Sequence, residues 1–184
     1  MYIRSTQFLV LICITVSFSF CNNSSKETKE KVTEWMGDTL YLPETSKILY
    51  RDSVYQNGEA INNYASLKIA TLISGDCNAC VDAIRRWNKF FQFIGSKKEA
   101  EILFYLETSK LIYFRASLYK PVIYKYPLII DEKFKFADSN NLPEEKQYQT
   151  FLLDSNNRVL LVGNPVYNEK LMKLYKQEIK KRQD

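Results

Sequence analysis

Two thiols separated by two residues, Cys77-Asn78-Ala79-Cys80, have the clearest capacity for chemistry in this chain. A thiolate can attack a disulfide, and a second thiol three residues on can resolve the mixed disulfide that results, so the spacing suits thiol–disulfide exchange. It also suits a structural disulfide or half of a metal site. The metal option lacks a second such pair, and the 184 residues include no histidine. That absence removes Ser-His and Cys-His nucleophile pairs and every His-containing zinc site. Whatever chemistry occurs must run on thiols, carboxylates, amines or tyrosines. No metal site and no cofactor is implied, and no glycine-rich phosphate loop is present in the sequence.

The flanking residues predict how the pair is held. Leu67 to Ile73 is a short, mostly apolar run with β-branched residues, suited to a buried central strand. Cys80, Ile84, Trp87, Phe91 and Ile94 then recur at helical spacing, with Asp82, Arg85, Arg86, Lys89 and Gln92 on the other face. That predicts an amphipathic helix stopped at Gly95. Cys77 falls at its N-terminus, where free N–H groups and the helix dipole favour a thiolate. Cys80 lies one turn further in and faces the core. The outer thiol therefore attacks and the inner one resolves. Asp76 opposes the Cys77 thiolate by its charge, or caps the helix.

At the start of the chain, a single positive charge at Arg4 precedes an apolar run at Phe8 to Val16, and Cys21 stands at the boundary with the polar stretch NNSSKETKEK. This layout resembles a bacterial lipoprotein signal, which implies removal of residues 1–20 and a lipid on Cys21. The alternative is an uncleaved anchor, although the run is short of the ~20 residues a spanning helix needs. Residues 21–37, with interleaved Lys and Glu, are expected to form a flexible tether or a solvated first helix, and 38–184 a single domain. Losing Arg4 lowers the net charge from +5 to +4, no footprint for nucleic acid.

Further strands are predicted at Glu101–Leu106 and Pro127–Asp131, with a short helix at Ser109–Tyr119. Thr150–Asp154 and Arg158–Gly163 flank Ser155-Asn156-Asn157 as a β-hairpin. Leu171, Leu174, Tyr175 and Ile179 mark the apolar face of a last helix between Val166 and Lys180. The order β-α-β-α-β-β-α, with an added turn at Asn57-Gly58, is an α/β class with a mixed central sheet flanked by helices. Interleaved aromatic and basic residues from Tyr113 to Tyr126 are expected to offer a partly exposed surface to a protein partner rather than to nucleic acid. The acidic neighbours Asp131-Glu132 and Glu144-Glu145 are expected to diverge toward solvent.

SGDCNACVDAIRRW, YQTFLLDSNNRVLLVG and VYQNGEAINNYASLKIATLIS together resemble the thioredoxin-like superfamily, and within it the membrane-tethered TlpA-like proteins, from about Tyr50 to Glu178. The resemblance implies a thioredoxin fold with an N-terminal β-hairpin extension, and thiol–disulfide exchange with Cys77 as nucleophile and Cys80 as resolving thiol. It places substrate binding at Tyr148, Gln149 and Thr150. It further implies a Bacteroidetes-type lipoprotein in the cell envelope facing the periplasm, acting on thiols and disulfides of exported proteins with a membrane electron donor. Three departures stand out. Tyr148 occupies the position of the family's cis-proline, so the loop is expected to be trans, and restoring proline there to raise exchange. Thr71 replaces the buried acid. Asp76 replaces the aromatic residue before the first cysteine, and Asn78-Ala79 the usual Gly-Pro. A non-catalytic binding protein with a structural disulfide is the competing class.

Overall fold

The computed structural model describes residues 30, 32–43, 47–50, 53–56, 65–76, 78–94, 100–118 and 126–182; in helical segments the side chains of 78–82, 94, 117 and 118 are outside the description. The chain divides between Trp35 and Met36 into two units. In the first, residues 32–35 are helical. No described helix is long and apolar enough to cross a membrane.

The second unit is built on a sheet whose strands are β1 Lys47–Tyr50, β2 Ser53–Gln56, β3 Leu67–Ser74, β4 Glu101–Glu107, β5 Leu128–Ile130, β6 Thr150–Asp154 and β7 Val159–Val162. Their order is β2-β1-β5-β4-β3-β6-β7. Strands β3, β4 and β5 run parallel, while β6 is antiparallel to β3 and β7 to β6. The central strands are apolar on both sides because both faces are covered. Toward one face Trp87, Phe90 and Ile84 of helix α1 (Asn78–Ile94) pack on Phe104, Ile69 and Leu106. The Trp87 and Phe104 rings meet edge to face at 5.7 Å, a geometry worth ~0.5–1.5 kcal/mol beyond area burial. On β4, Tyr105 alternates to the other face from Phe104, where it stacks on Phe136 at 4.2 Å.

Most predicted elements form, with shifts that have physical causes. Helix α2 is Leu111–Leu118, starting later than Ser109 because the Thr108 hydroxyl accepts the Lys110 N–H and holds a turn there. The last helix, α4, is Glu169–Lys181, opened by Asn168, whose side chain accepts the Lys170 and Leu171 N–H groups. Leu174 on that helix is half exposed, whereas Tyr175 and Ile179 are buried. Between β5 and β6 lies a further short helix, α3, at Lys135–Ser139.

An N-terminal hairpin is present, formed by β1 and β2. It closes between Tyr50 and Ser53, which face each other across β1 and β2, and it joins the sheet through β1 and β5. Asn57 and Gly58, where the sequence places a turn, lie outside the described residues. Two features were not expected. Residues 37–40 run beside β7, with Gly37 N–H donating to the Val159 carbonyl and a bridge between Thr39 and Arg158. Lys68 is buried within β3, its Nζ donating to the Ser155 carbonyl at 3.1 Å. Burial lowers the Lys68 pKa against the pull of Asp154 and Glu101.

Candidate active site

Strand β3 delivers the chain to the cysteine pair. Ser74 ends the strand, Gly75 and Asp76 follow, and α1 begins at Asn78. Cys77 lies outside the described residues; Cys80 is on the first turn of α1, its side chain likewise outside. The strand-to-helix junction expected around the pair is therefore present.

Gly75 is required by close approach. A Cβ there would lie 2.8 Å from Phe114 Cδ2 and 2.8 Å from Thr108 Cβ, so any larger residue would push the junction off β4 and α2. The Gly75 N–H donates to the Glu107 carbonyl at 2.7 Å, pinning the same point by its backbone. Asp76 is anchored by its side chain. Its Oδ1 accepts from the Thr108 hydroxyl at 2.7 Å and its Oδ2 from the Ser109 hydroxyl at 3.1 Å. The Thr108 hydrogen bond, foremost, and those from Ser109 hold the Asp76 carboxyl below the usual range, so it is charged at neutral pH.

Beneath the junction, Thr71 sits where the resemblance places a buried acid. Its hydroxyl is 2.7 Å from that of Thr150, directly opposite on β6, and both residues are buried. A neutral hydroxyl pair thus occupies the site. A carboxyl does lie at the end of β4: Glu107, its pKa raised by burial and by Asp131 and Asp138. Glu107 alternates with Leu106 and so projects from the sheet face opposite Trp87 and α1. Asp131 departs from the expectation that it would point to water. It is buried, and its two carboxylate oxygens accept the N–H groups of Lys135 and Phe136 at the start of α3. Glu132 does face solvent and pairs with Lys47, as Glu144 and Glu145 are also exposed.

The three residues expected to bind substrate lie together where the chain enters β6, with their side chains committed inward. Tyr148 ends a 3-10 turn at Lys146–Tyr148 and is buried, its N–H donating to the Glu145 carbonyl at 2.9 Å. Gln149 donates its side-chain amide to the Pro143 carbonyl and accepts the Leu72 N–H on its own carbonyl. Thr150 is held by Thr71, and its carbonyl accepts the Gly163 N–H. Gly163 has φ +116°, and a Cβ there would strike Leu171. No cis peptide bond occurs among the described residues, in keeping with the expectation at Tyr148. Residues 144–147 form the exposed outer side of this loop.

The aromatic stretch after β4 divides. Tyr113 and Ile112 are exposed, whereas Phe114 and Tyr126 are core residues; Tyr119 and Tyr124 lie outside the described residues. Among the described residues no cluster of three His, Cys, Asp or Glu could hold a metal ion. Reasoning from sequence missed Thr108, Ser109 and Gly75. Only the small residues at the ends of β3 and β4 hinted at them, and a partner for Asp76 thirty-two positions away has no local signature.

No protein-family model matches the chain, and no curated protein matches it by sequence. Solved structures do. The thioredoxin domain of a thiol-disulfide oxidoreductase from Bacteroides vulgatus is similar over 76% of this chain and 96% of its own, at 8% identity and a TM-score of 0.54. Similar too are the reduced 2-Cys peroxiredoxin of Plasmodium vivax (81% of this chain and 98% of its own, 12% identity, TM-score 0.55) and DsbF of Mycobacterium tuberculosis (76% and 99%, 10% identity, TM-score 0.53). The fold is that of thioredoxin, an α/β sandwich with a mixed sheet.

Proposed function

We propose that this chain is an envelope lipoprotein whose thioredoxin-like domain exchanges thiols and disulfides with exported proteins through Cys77 and Cys80. The supporting observation is the position of the pair: a CxxC sequence at the junction of β3 and α1 of a thioredoxin fold, where a helix N-terminus favours a thiolate. Cys77 attacks the partner's disulfide and Cys80 resolves the mixed disulfide. The partner meets the loop of Tyr148, Gln149 and Thr150 on its exposed 144–147 side, since the polar groups of these three are engaged internally. Lipid on Cys21 holds the domain at a membrane on the periplasmic side, where a membrane electron donor completes the cycle.

The inward commitment of Tyr148, Gln149 and Thr150 also favours a second reading, a non-catalytic binding lipoprotein whose Cys77–Cys80 bridge is structural. The two part in a disulfide-reductase assay on wild type and Cys77→Ser. Exchange is expected to fall to background in the variant. Equal activity in both proteins, with a wild-type potential below about −300 mV, establishes the structural disulfide instead.

A further inference from the structure

We propose that the outer face shared by α1 and α4 docks on the surface of an anionic phospholipid bilayer and so orients the anchored domain; this rests on the lipid proposed at Cys21.

Charge is distributed unevenly along the chain. The stretches Asn78–Ile94 and 169–182 hold nine of the 26 Lys and Arg residues but three of the 21 Asp and Glu. Their net charge is +6, more than the +5 of the entire chain, so the remainder comes to −1. The cations point outward: Arg85, Arg86 and Lys89 of α1 and Lys170, Lys173 and Lys176 of α4 are all exposed. Three contacts join the two helices into one surface. Phe90 meets Tyr175 edge to face at 6.0 Å. The Arg86 guanidinium lies 5.3 Å from the ring centre of Tyr167, which belongs to the 3-10 turn Pro165–Tyr167. Lys176 Nζ lies 4.5 Å from the ring centre of Phe93 and donates to the Phe93 carbonyl at 2.9 Å.

Helix stability does not account for this pattern. Lys180 and Lys181 complement the dipole at the C-terminal end of α4, but Lys170 and Lys173 stand in its first half, Lys170 in the first turn, where a cation is disfavoured. Two large apolar side chains are exposed among the cations. Leu174 follows Lys173 and lies one turn from Lys170, and Tyr167 lies beneath Arg86.

Cations interspersed with an aromatic and an aliphatic side chain suit a bilayer surface. Lys and Arg reach the headgroup phosphates while the apolar groups enter the boundary with the acyl chains. A protein partner fits less well, because six of the nine cations are lysines, a residue depleted from protein interfaces. Only residues 22–36 separate Cys21 from Gly37. A lipid at Cys21 therefore makes contact between this face and the bilayer an intramolecular event, for which weak affinity suffices. Helix α1 begins just beyond the Gly75–Asp76 junction and is ~25 Å long. Docking along it keeps the candidate active site close to the membrane plane, where the proposed electron donor resides.

The test takes the full-length protein purified from a bacterial envelope and reconstitutes it in vesicles of phosphatidylcholine, alone or mixed with phosphatidylglycerol. A water-soluble amine reagent then reads the acetylation rate of each lysine. Lys89, Lys173 and Lys180 are expected to react about 3- to 10-fold more slowly in the anionic vesicles, a difference that high salt removes. Lys133 and Lys146, exposed elsewhere on the domain, are expected to react alike in both. In Lys170→Glu/Lys173→Glu the protection of Lys89 and Lys180 is expected to disappear, with thermal unfolding no lower than that of wild type. Equal labelling in the two kinds of vesicle overturns the docking, as does protection that survives in the double variant. Protection by polyglutamate in solution with none by vesicles also overturns it, assigning the face to an acidic polypeptide. A protein that does not float with neutral vesicles overturns the lipid anchor and the proposal with it, a result distinct from an anchored protein whose face labels equally.

Discussion

Acidic residues around the carboxyl ends of β3, β4 and β5 have been given different environments. Asp76 is exposed and anchored by hydroxyls, Asp131 is buried and spent on the backbone of α3, and Glu107 is half-buried with an upward-shifted pKa. The Glu107 shift has a consequence for stability. A carboxyl whose folded pKa lies above its unfolded value binds protons more tightly in the native state. Its stabilising contribution is complete below the unfolded pKa, about 4.3 for glutamate, and is lost as pH rises through the raised folded value. Glu107→Gln is therefore expected to raise stability at pH 7, by less than ~1 kcal/mol because the group is partly solvated, and to lose that advantage at pH 4. Thermal unfolding of both proteins at the two pH values checks this; an advantage of equal size at both would show that charge is not the cause.

At the scale of elements, the segment entering β6 shows how neighbouring strands can turn the side chains of a loop inward. Sequence places Tyr148 where a cis-proline would face the cysteines, and from that alone proline there should improve exchange. The tertiary structure adds a cost that the sequence does not show. Tyr148 fills buried space, and its N–H closes the 3-10 turn on Glu145. Proline would remove that donor and leave a cavity where the ring was. Tyr148→Pro is expected to cost about 3 kcal/mol or more, seen as a lower denaturation midpoint, without a gain in reductase activity; Tyr148→Phe should keep most of the stability. A stable proline variant with faster exchange would restore the expectation drawn from sequence. The strand elements behave more simply. Leu67–Ser74 forms close to where its apolar run predicts, because eight residues between two covered faces have few alternatives.

For the whole molecule, the first twenty-one residues and the sheet bear on separate questions. If Cys21 carries lipid, Cys21→Ser expressed in a bacterial envelope is expected to leave the membrane fraction for the soluble one, with the folded domain unchanged; retention in the membrane would favour an uncleaved anchor. What the sequence determined by itself was local: the apolar run of β3, the helical period of α1, the polar turn between β6 and β7, and the CxxC pair at a strand-to-helix boundary. Each follows from side-chain periodicity within a dozen residues. Tertiary structure alone decided that β1 joins β5, that residues 37–40 lie along β7, that Thr71 meets Thr150, and that Thr108 and Ser109 hold Asp76. Those pairings join residues thirty to more than a hundred positions apart. Their partners are selected by the packing of a complete sheet, and no short window of sequence records it.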